Sequence, residues 1–570
     1  MKTTSRILSA LLLSSLGACA VQAGDGDLET YEDGTGTGES EDGIIARGDV
    51  TLFTENGNEV PVCFLTPGLS AERERVRTAI NESWGRVSAL RFTGFGTCSA
   101  TIPSRTVPIE FEETDGAWGG YAQYGMGSRL KDSSAQILLR LTPNRYRLEA
   151  TAIHEMGHVL GLAHEQSHPQ SVRCAEAAFR GNCKTDADCR TATSTSCTQD
   201  NQCPAGQGCV NSRCTIGAEF MCDTAATSGD AAKPYRCVHN QSLTITDGQI
   251  ETPYDPESIM NYCRDDNGST LAEDALSPWD IVGIQRLYGM KPLNSIVGTQ
   301  NRCIEIDNPG LTTPTVPTEL QVSSCVGNSN QRWAWRKTGS FEAYKFGSGA
   351  HKFMDVKWGA EKDGTPIWNW TYNGDTAQIW RLHEVAIVGE GGLCLEVAGD
   401  VKLGAGVRVA TCNRSTGQRW TVGWVGVTEN GVTTYYNQLR AGPSLSFFCL
   451  QASGTSGLSL AMCNSSASSQ HFTLARRQIK ARAGNCFDVK YAEAKSGQGV
   501  QRYGCRVVPT TDEAPTDKAA WAQMWFVRGH IKNEDGKCAM VRANSPVVDG
   551  SPMILWGCGD YVPQTWDYHF

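Results

Sequence analysis

In the segment running from His154 to Glu165, HEMGHVLGLAHE, three imidazoles and a carboxylate stand at spacings that suit a single divalent metal ion. Residues four apart share one face of a helix, so His154 and His158 present two ring nitrogens to the same point while Glu155 lies beside them. Gly161 follows three residues later, where a left-handed residue ends a helix without a Cβ clash and lets the chain turn His164 back as a third ligand. Three protein ligands leave a fourth position open for water, which is the catalytic rather than the structural form of a zinc site. Glu155 is then placed as general base, taking a proton from the water as it attacks a peptide carbonyl and passing it to the leaving amine. The expectation is one zinc ion (Zn2+) per chain and hydrolysis of peptide bonds.

Downstream, Ser258-Ile259-Met260-Asn261-Tyr262 resembles the Met-turn of the metzincin metalloproteases, whose zinc signature has the same extended form. Within them the chain is most similar to the astacin family, because Glu165 directly follows the third histidine and Tyr262 follows Met260 by two. The resemblance implies an α+β, zincin-like metalloendopeptidase domain over residues 48–290. It makes Met260 the hydrophobic floor beneath the zinc and Tyr262 a switchable ligand whose hydroxyl stabilises the oxyanion. The segment Leu276 to Gly289, LSPWDIVGIQRLYG, resembles the helix that closes such domains. Two departures stand out. The run HEQSHP puts His168 where an arginine is usual, and no clear processing site would free the N-terminal amine that in astacins pairs with the glutamate matching Glu165. Neither a thiol nor an Asp-bearing latency motif is evident before residue 48.

The elements that must position these groups are legible upstream. Ser70 is a candidate helix cap, followed by Val76, Ile80, Trp84 and Val87 at helical spacing. Val107 to Glu113 alternates apolar with charged residues, and Ala135 to Leu141 is a second strand candidate. The resemblance implies that an edge strand here binds substrate by β-augmentation, the peptide backbone pairing with the free edge; which of the two strands is the edge is open.

The chain start bears on the compartment. Lys2 and Arg6 precede an apolar run, Ile7 to Leu13, too short to span a bilayer and laid out as a secretory signal over residues 1–19. It ends in Leu16-Gly17-Ala18-Cys19, which resembles a bacterial lipobox with Cys19 as lipidated residue; cleavage near Ala23 is the alternative. The expected location is therefore secreted, or at the bacterial cell surface as a lipoprotein, with Cys19 as the one route to a membrane. Within residues 20–47, Gly24 to Gly43 carries eight acidic residues and no basic one, the composition of a disordered tether or propeptide. Of 23 cysteines, 22 remain after Cys19, an even number that suits an oxidised exported protein. Six of them, Cys183, Cys189, Cys197, Cys203, Cys209 and Cys214, fall in an insert of 183–214 that has few large apolar residues and needs disulfides to fold.

Beyond Gly289 a repeat appears, marked by a glutamine two residues before an aromatic: Gln331/Trp333, Gln378/Trp380, Gln418/Trp420, Gln470/Phe472, Gln523/Trp525 and Gln564/Trp566. Spacings of 40 to 53 residues indicate one supersecondary unit per copy. Five units carry a cysteine pair and the second has Phe353 and Tyr372 instead. The pattern resembles the ricin B-type lectins, whose all-β trefoils hold three QxW repeats each, and implies two trefoils, 291–425 and 426–570. The aromatic of each copy would fill the trefoil centre, so sugar contacts must come from other residues. A pyranose needs an aromatic face and a carboxylate or amide. By resemblance these are Asp355 with Trp370 and Asn373 in the second unit and Asp488 with Tyr503 in the fifth. Glu305, Glu396, Gln451 and Met540 replace the aspartate elsewhere, although Trp556 keeps an aromatic.

A net charge of −10 and a pI near 5.6 give no basic footprint for nucleic acid. Two functions stand as expectations. The first is an exported zinc endopeptidase held on glycans near a protein or glycoprotein substrate by its lectin domains. The second is a carbohydrate-binding adhesin whose protease domain is latent or processes only itself.

Overall fold

A computed structural model describes residues 45–47, 51–164 and 275–570, with short strands and single positions between 191 and 260. Outside it within those spans are the loops 115–118, 131–132, 144–146, 308–316, 344–350, 443–446, 493–494, 510–512, 516–517, 543–546 and 560–561. The segment ending at Cys19, the acidic stretch, Glu165, His168, Tyr262 and the side chains of the six insert cysteines also lie outside the described residues.

Five strands build the sheet behind the histidine segment: β1 (Glu59–Phe64), β2 (Arg91–Thr97), β3 (Val107–Glu113), β4 (Gly119–Ala122) and β5 (Ile137–Leu141). Their order is β2-β1-β3-β5-β4, all parallel except β4, which runs antiparallel beside β5. Period-two burial of Ile137, Leu139 and Leu141 places one face of β5 in the core. Neither strand read from the sequence is the edge. The edges are β2 and, next to Ile137–Leu141, β4, Gly-Gly-Tyr-Ala, whose two glycines give no strand signature.

Three helices pack on this sheet and on one another: α1 (Ser70–Ile80), α2 (Leu148–Val159) and α3 (Pro278–Tyr288). From α1 the chain continues through one wider turn, Asn81–Gly85, so that Val76, Ile80 and Trp84 are all buried. The Trp84 indole N–H donates to the Ile153 carbonyl at 2.8 Å and ties α1 to α2. Ser70 is not the cap. Leu69 holds the cap position with φ 52° and makes no side-chain bond, leaving Ser70 as the first helical residue. In α3, Ser277 and Asp280 form a reciprocal capping box and Pro278 stands in the first turn. Between His164 and Met260, Thr191–Ser196, Gln207–Val210 and Arg213–Ile216 form a three-stranded antiparallel sheet.

From Ile296 onward the regular elements among the described residues are strands and short 3-10 turns, with one four-residue helix, Lys518–Trp521. The tryptophans of five QxW copies and Phe472 of the sixth are essentially without exposure. Each glutamine closes its own unit: the Gln378 amide, for example, donates to the Thr371 carbonyl at 2.9 Å, and its oxygen accepts the Asn373 N–H at 3.1 Å. Disulfides join Cys303 to Cys325, Cys394 to Cys412, Cys449 to Cys463, Cys486 to Cys505 and Cys538 to Cys558. In the second unit the Phe353 and Tyr372 rings, with centroids 5.0 Å apart, occupy the corresponding place.

Strand pairing corrects the expected division at residues 425 and 426. Ile296–Val297 of unit 1 pairs with Asp567–Tyr568 of unit 6, and Trp333–Trp335 of unit 1 with Phe341–Ala343 of unit 2. Trp380–Leu382, which ends unit 2, pairs with Ile531–Asn533 of unit 6. Units 1, 2 and 6 therefore close one trefoil. Units 3, 4 and 5 close the other, through Ala386–Gly389 with Trp525–Arg528, Trp420–Glu429 with Val432–Ala441, and Phe472–Ala475 with Gln478–Ala481. The chain crosses from the first to the second along the continuous strand Trp380–Gly389, which is kinked at Glu384 (φ 54°), and returns between Gly529 and Ile531. All six units carry the same closing residues, so spacing alone does not determine which three meet.

The last unit also anchors the N-terminal domain. Asp567, fully buried, accepts from Arg86 at 2.9 Å and from Arg528 at 2.7 and 2.8 Å. Burial alone would raise its carboxyl pKa, but the Arg528 and Arg86 guanidiniums hold it well below the carboxylate range.

Candidate functional site

Helix α2 carries His154, Glu155 and His158 into the interior, where Glu155 and His158 have no exposure and His154 almost none. Helix α2 ends at Val159, and Gly161 takes φ 97°, the left-handed turn that swings His164 back. The ring nitrogens of His154, His158 and His164 all lie within 4.8 Å of one another, with His158 Nε2 and His164 Nε2 3.1 Å apart.

The far side of each helical ring is fixed by backbone. His154 Nδ1 lies 2.7 Å from the Ile259 carbonyl and His158 Nδ1 lies 2.8 Å from the Leu162 carbonyl. A carbonyl only accepts, so Nδ1 bears the proton in both neutral rings and Nε2 keeps its lone pair toward the common point. Burial pushes His154 down to about 4 against its bond to the Ile259 carbonyl, and burial together with the neighbouring His154 pushes His158 well below the ordinary value. Both rings are neutral at neutral pH. Three neutral imidazoles, oriented by second partners and closing on one point, are a donor set that fits zinc.

The segment expected from the sequence to form a floor, Ser258 to Met260, packs against α2. Met260 is fully buried, and a Cβ on Gly157 would fall 2.4 Å from its sulfur, so only glycine lets helix and methionine meet this closely. Asp280 holds this floor in place. Its carboxylate accepts from the Ser258 hydroxyl at 2.6 Å and from the Ile259 and Ser277 N–H groups, both at 2.9 Å. One carboxylate thus caps α3, pins the turn and, through Ile259, sets the ring of His154.

The edge strand approaches the base. A Cβ on Gly120 of β4 would lie 2.7 Å from Glu155 Cγ and 2.8 Å from its Oε1. Gly120 was not singled out from the sequence, where nothing distinguishes it from other glycines. Tyr124, just beyond β4, sets its ring edge-on to His158 with centroids 5.1 Å apart.

In the lectin region the aspartates proposed from the sequence, Asp355 and Asp488, are buried. Asp355 Oδ1 accepts from the Trp368 indole at 2.7 Å, and Trp368 stacks on Trp370 with centroids 4.7 Å apart. Asp488 accepts from Gln501 at 3.1 Å and from Gln523 at 3.0 Å, and Tyr503 is half exposed nearby in the same hairpin. Asn373 also shapes its own turn. Its Oδ1 accepts the Asp375 N–H at 2.9 Å, a turn that Asn413 and Asn464 repeat in units 3 and 4, which lack the aspartate. In unit 3 the replacement Glu396 is engaged by Arg408 at 2.8 Å, which leaves its carboxylate tied to the protein. Trp368 and Gln501, the direct partners of the two aspartates, were not read from the sequence.

Residues 293–420 match the family model described as ricin-type beta-trefoil lectin domain, which establishes a lectin domain in the C-terminal region. The match covers three consecutive units, whereas the strand pairing assigns the third to the other trefoil. No curated protein matches the chain. Among solved structures, it is similar to myroilysin at 20% identity, covering 43% of this chain and 98% of that one, with a TM-score of 0.27. A hatching-enzyme zinc protease, high choriolytic enzyme 1 from medaka fish (Oryzias latipes), matches at 14% identity over 40% of this chain and 87% of its own, TM-score 0.21. The C-half of an earthworm R-type lectin in complex with GalNAc matches at 12% identity over 25% and 95%, TM-score 0.18. These scores establish no shared fold for the whole chain.

Proposed function

We propose that the protein is a zinc-dependent endopeptidase whose ricin-type lectin region holds it on glycans. The observation that carries the first half is the convergence of His154, His158 and His164, with Glu155 buried beside them on the same helix. His154, His158 and His164 would hold the zinc ion, which when bound supplies Lewis acidity toward a water and a scissile carbonyl.

The chain's own residues do the rest. Glu155 accepts a proton from the attacking water and returns it to the leaving amine. Strand β4 pairs on one side only among the described residues, so an extended substrate can add to its other side. The approach of Gly120 to Glu155 brings that edge, and a peptide on it, next to the base. Tyr262 is the proposed oxyanion partner by its position two residues after Met260. Six described disulfides, including Cys63–Cys98, favour an oxidising compartment and hence export. Glycan binding at Asp355 with Trp370 and at Asp488 with Tyr503 would raise the local concentration of glycoprotein substrate without altering the chemistry.

The test is cleavage of a denatured generic protein by the purified chain and by Glu155→Ala, with zinc quantified in both. The expected result is about one zinc per chain in each, with chelator-sensitive cleavage only in the parent. A chain that binds no zinc would overturn the reading, and zinc without cleavage in either protein would favour the adhesin with a latent protease domain.

A further inference from the structure

Three residues after the aspartate position, each described unit makes a left-handed turn. In units 3 and 4, where Glu396 and Gln451 have replaced the aspartate, glycine occupies that turn: Gly399 with φ 83° and Gly454 with φ 53°. In units 2 and 5, which keep Asp355 and Asp488, the same position holds Trp358 with φ 59° and Tyr491 with φ 63°. The equivalents in units 1 and 6 lie outside the described residues.

A bulky aromatic is an unfavourable occupant of left-handed backbone, which glycine enters freely. These two rings do not recover that penalty by burial, since Trp358 is 81% exposed and Tyr491 is 80% exposed. Both follow the same local sequence, Asp-Val-Lys. Strain and exposure of a large ring, accepted twice and, among the four described units, only where the aspartate is kept, are what a ligand contact requires and packing does not.

The surroundings in unit 2 show where such a ligand would lie. Trp358 meets Trp368 edge-on with centroids 5.9 Å apart; Trp368 stacks on Trp370 and donates to Asp355. The Lys357 ammonium lies 4.9 Å from the centre of the Trp358 ring and is held by Glu319 at 2.8 Å, which steadies the ring from one side. Two aromatic residues therefore follow each aspartate, an exposed one three positions after it and a second, at least partly exposed, fifteen positions after it. Because unit 2 belongs to the first trefoil and unit 5 to the second, each trefoil has one such arrangement.

We infer that Trp358 and Tyr491 are sugar-contact residues that add a second aromatic platform beside Asp355 and Asp488, giving the lectin region two pockets, one per trefoil, for glycans with apolar pyranose faces. The inference rests on the glycan-binding reading of those aspartates. Its test uses the full chain carrying Glu155→Ala, to prevent self-digestion, and a panel of polymer-linked galactose, N-acetylgalactosamine, N-acetylglucosamine, mannose and xylose. Asp488→Asn leaves unit 2 as the single pocket, in which Trp358→Gly is compared with its parent; Asp355→Asn isolates unit 5 for Tyr491→Gly. Glycine is the residue that units 3 and 4 already use, so both variants should fold with an unfolding midpoint at or above that of the parent.

The expected result is a loss of affinity of roughly tenfold or more for the best-bound sugar in each single-pocket protein. Unchanged affinity in the glycine variants, where the double aspartate variant abolishes binding, would overturn the platforms while leaving the glycan sites in place. Binding that survives the double aspartate variant, or a panel in which no sugar binds, would overturn the sites and the platforms together.

Discussion

The histidine cluster and the lectin units solve the problem of placing a few polar groups in opposite ways. At the histidine cluster the polar groups are set by residues that also hold the fold. His154 is set by Ile259, Ile259 by Asp280, and Met260 fits only because residue 157 is glycine. In the trefoils the scaffold and the contacts are separate. The buried aromatic, the glutamine that closes the unit and the disulfide recur whether or not the aspartate is present, so four of six units have lost it with the fold intact. A site made once, from interlocking buried parts, has little tolerance for change; a site made on a repeated frame can be discarded copy by copy.

That contrast predicts effects of decreasing size. His158→Ala should eliminate both bound zinc and cleavage while sugar binding persists; retained stoichiometric zinc would mean the three rings do not act as one site. Deleting residues 530–570 removes unit 6 and should unfold units 1 and 2 while units 3 to 5 stay protected in hydrogen exchange. Protection of 291–425 with loss of 426–570 would instead restore the sequential division. Asp280→Ala leaves the Ser258, Ile259 and Ser277 donors without their acceptor and should destabilise the N-terminal domain by about 3 kcal/mol in denaturant unfolding. Zinc affinity should fall roughly 10- to 100-fold in the same protein, because the partner of His154 is released. Gly120→Ala should leave zinc content unchanged and lower kcat by about tenfold or more, since the new methyl displaces Glu155 from its position. An unaltered kcat would separate β4 from the base. The smallest effect belongs to the lectin frame: Asn373→Ala removes one exposed turn bond, so stability should change by about 0.5 kcal/mol and sugar affinity not at all.

How much of this was legible in advance follows from which interactions are local. The histidine cluster was visible because a helix converts a spacing of four into a shared face, and Gly161 because a turn depends on neighbours in sequence; the Ser277–Asp280 box is equally local but was not read. The six lectin units announced themselves through a repeated residue pair that each unit needs for its own closure. Ser70 was misread as a cap because a serine before an apolar run is the usual sign, whereas the chain enters α1 through a left-handed Leu69. The edge strand was missed because two glycines have no side chains from which to read alternation.

By itself the sequence determined the local parts: the helix that gathers the imidazoles, the turn that returns His164, and six units each with its own buried aromatic and closing glutamine. Only the tertiary structure decided the long-range matches. It placed Asp280 beneath the Met-turn, laid Gly120 against Glu155, and joined unit 6 to units 1 and 2 across the whole second trefoil. The reason is physical. A cap or a helical face is chosen among a few neighbours along the chain, whereas identical strand edges from six units can pair in several ways, and the choice rests on how the complete set packs into one core.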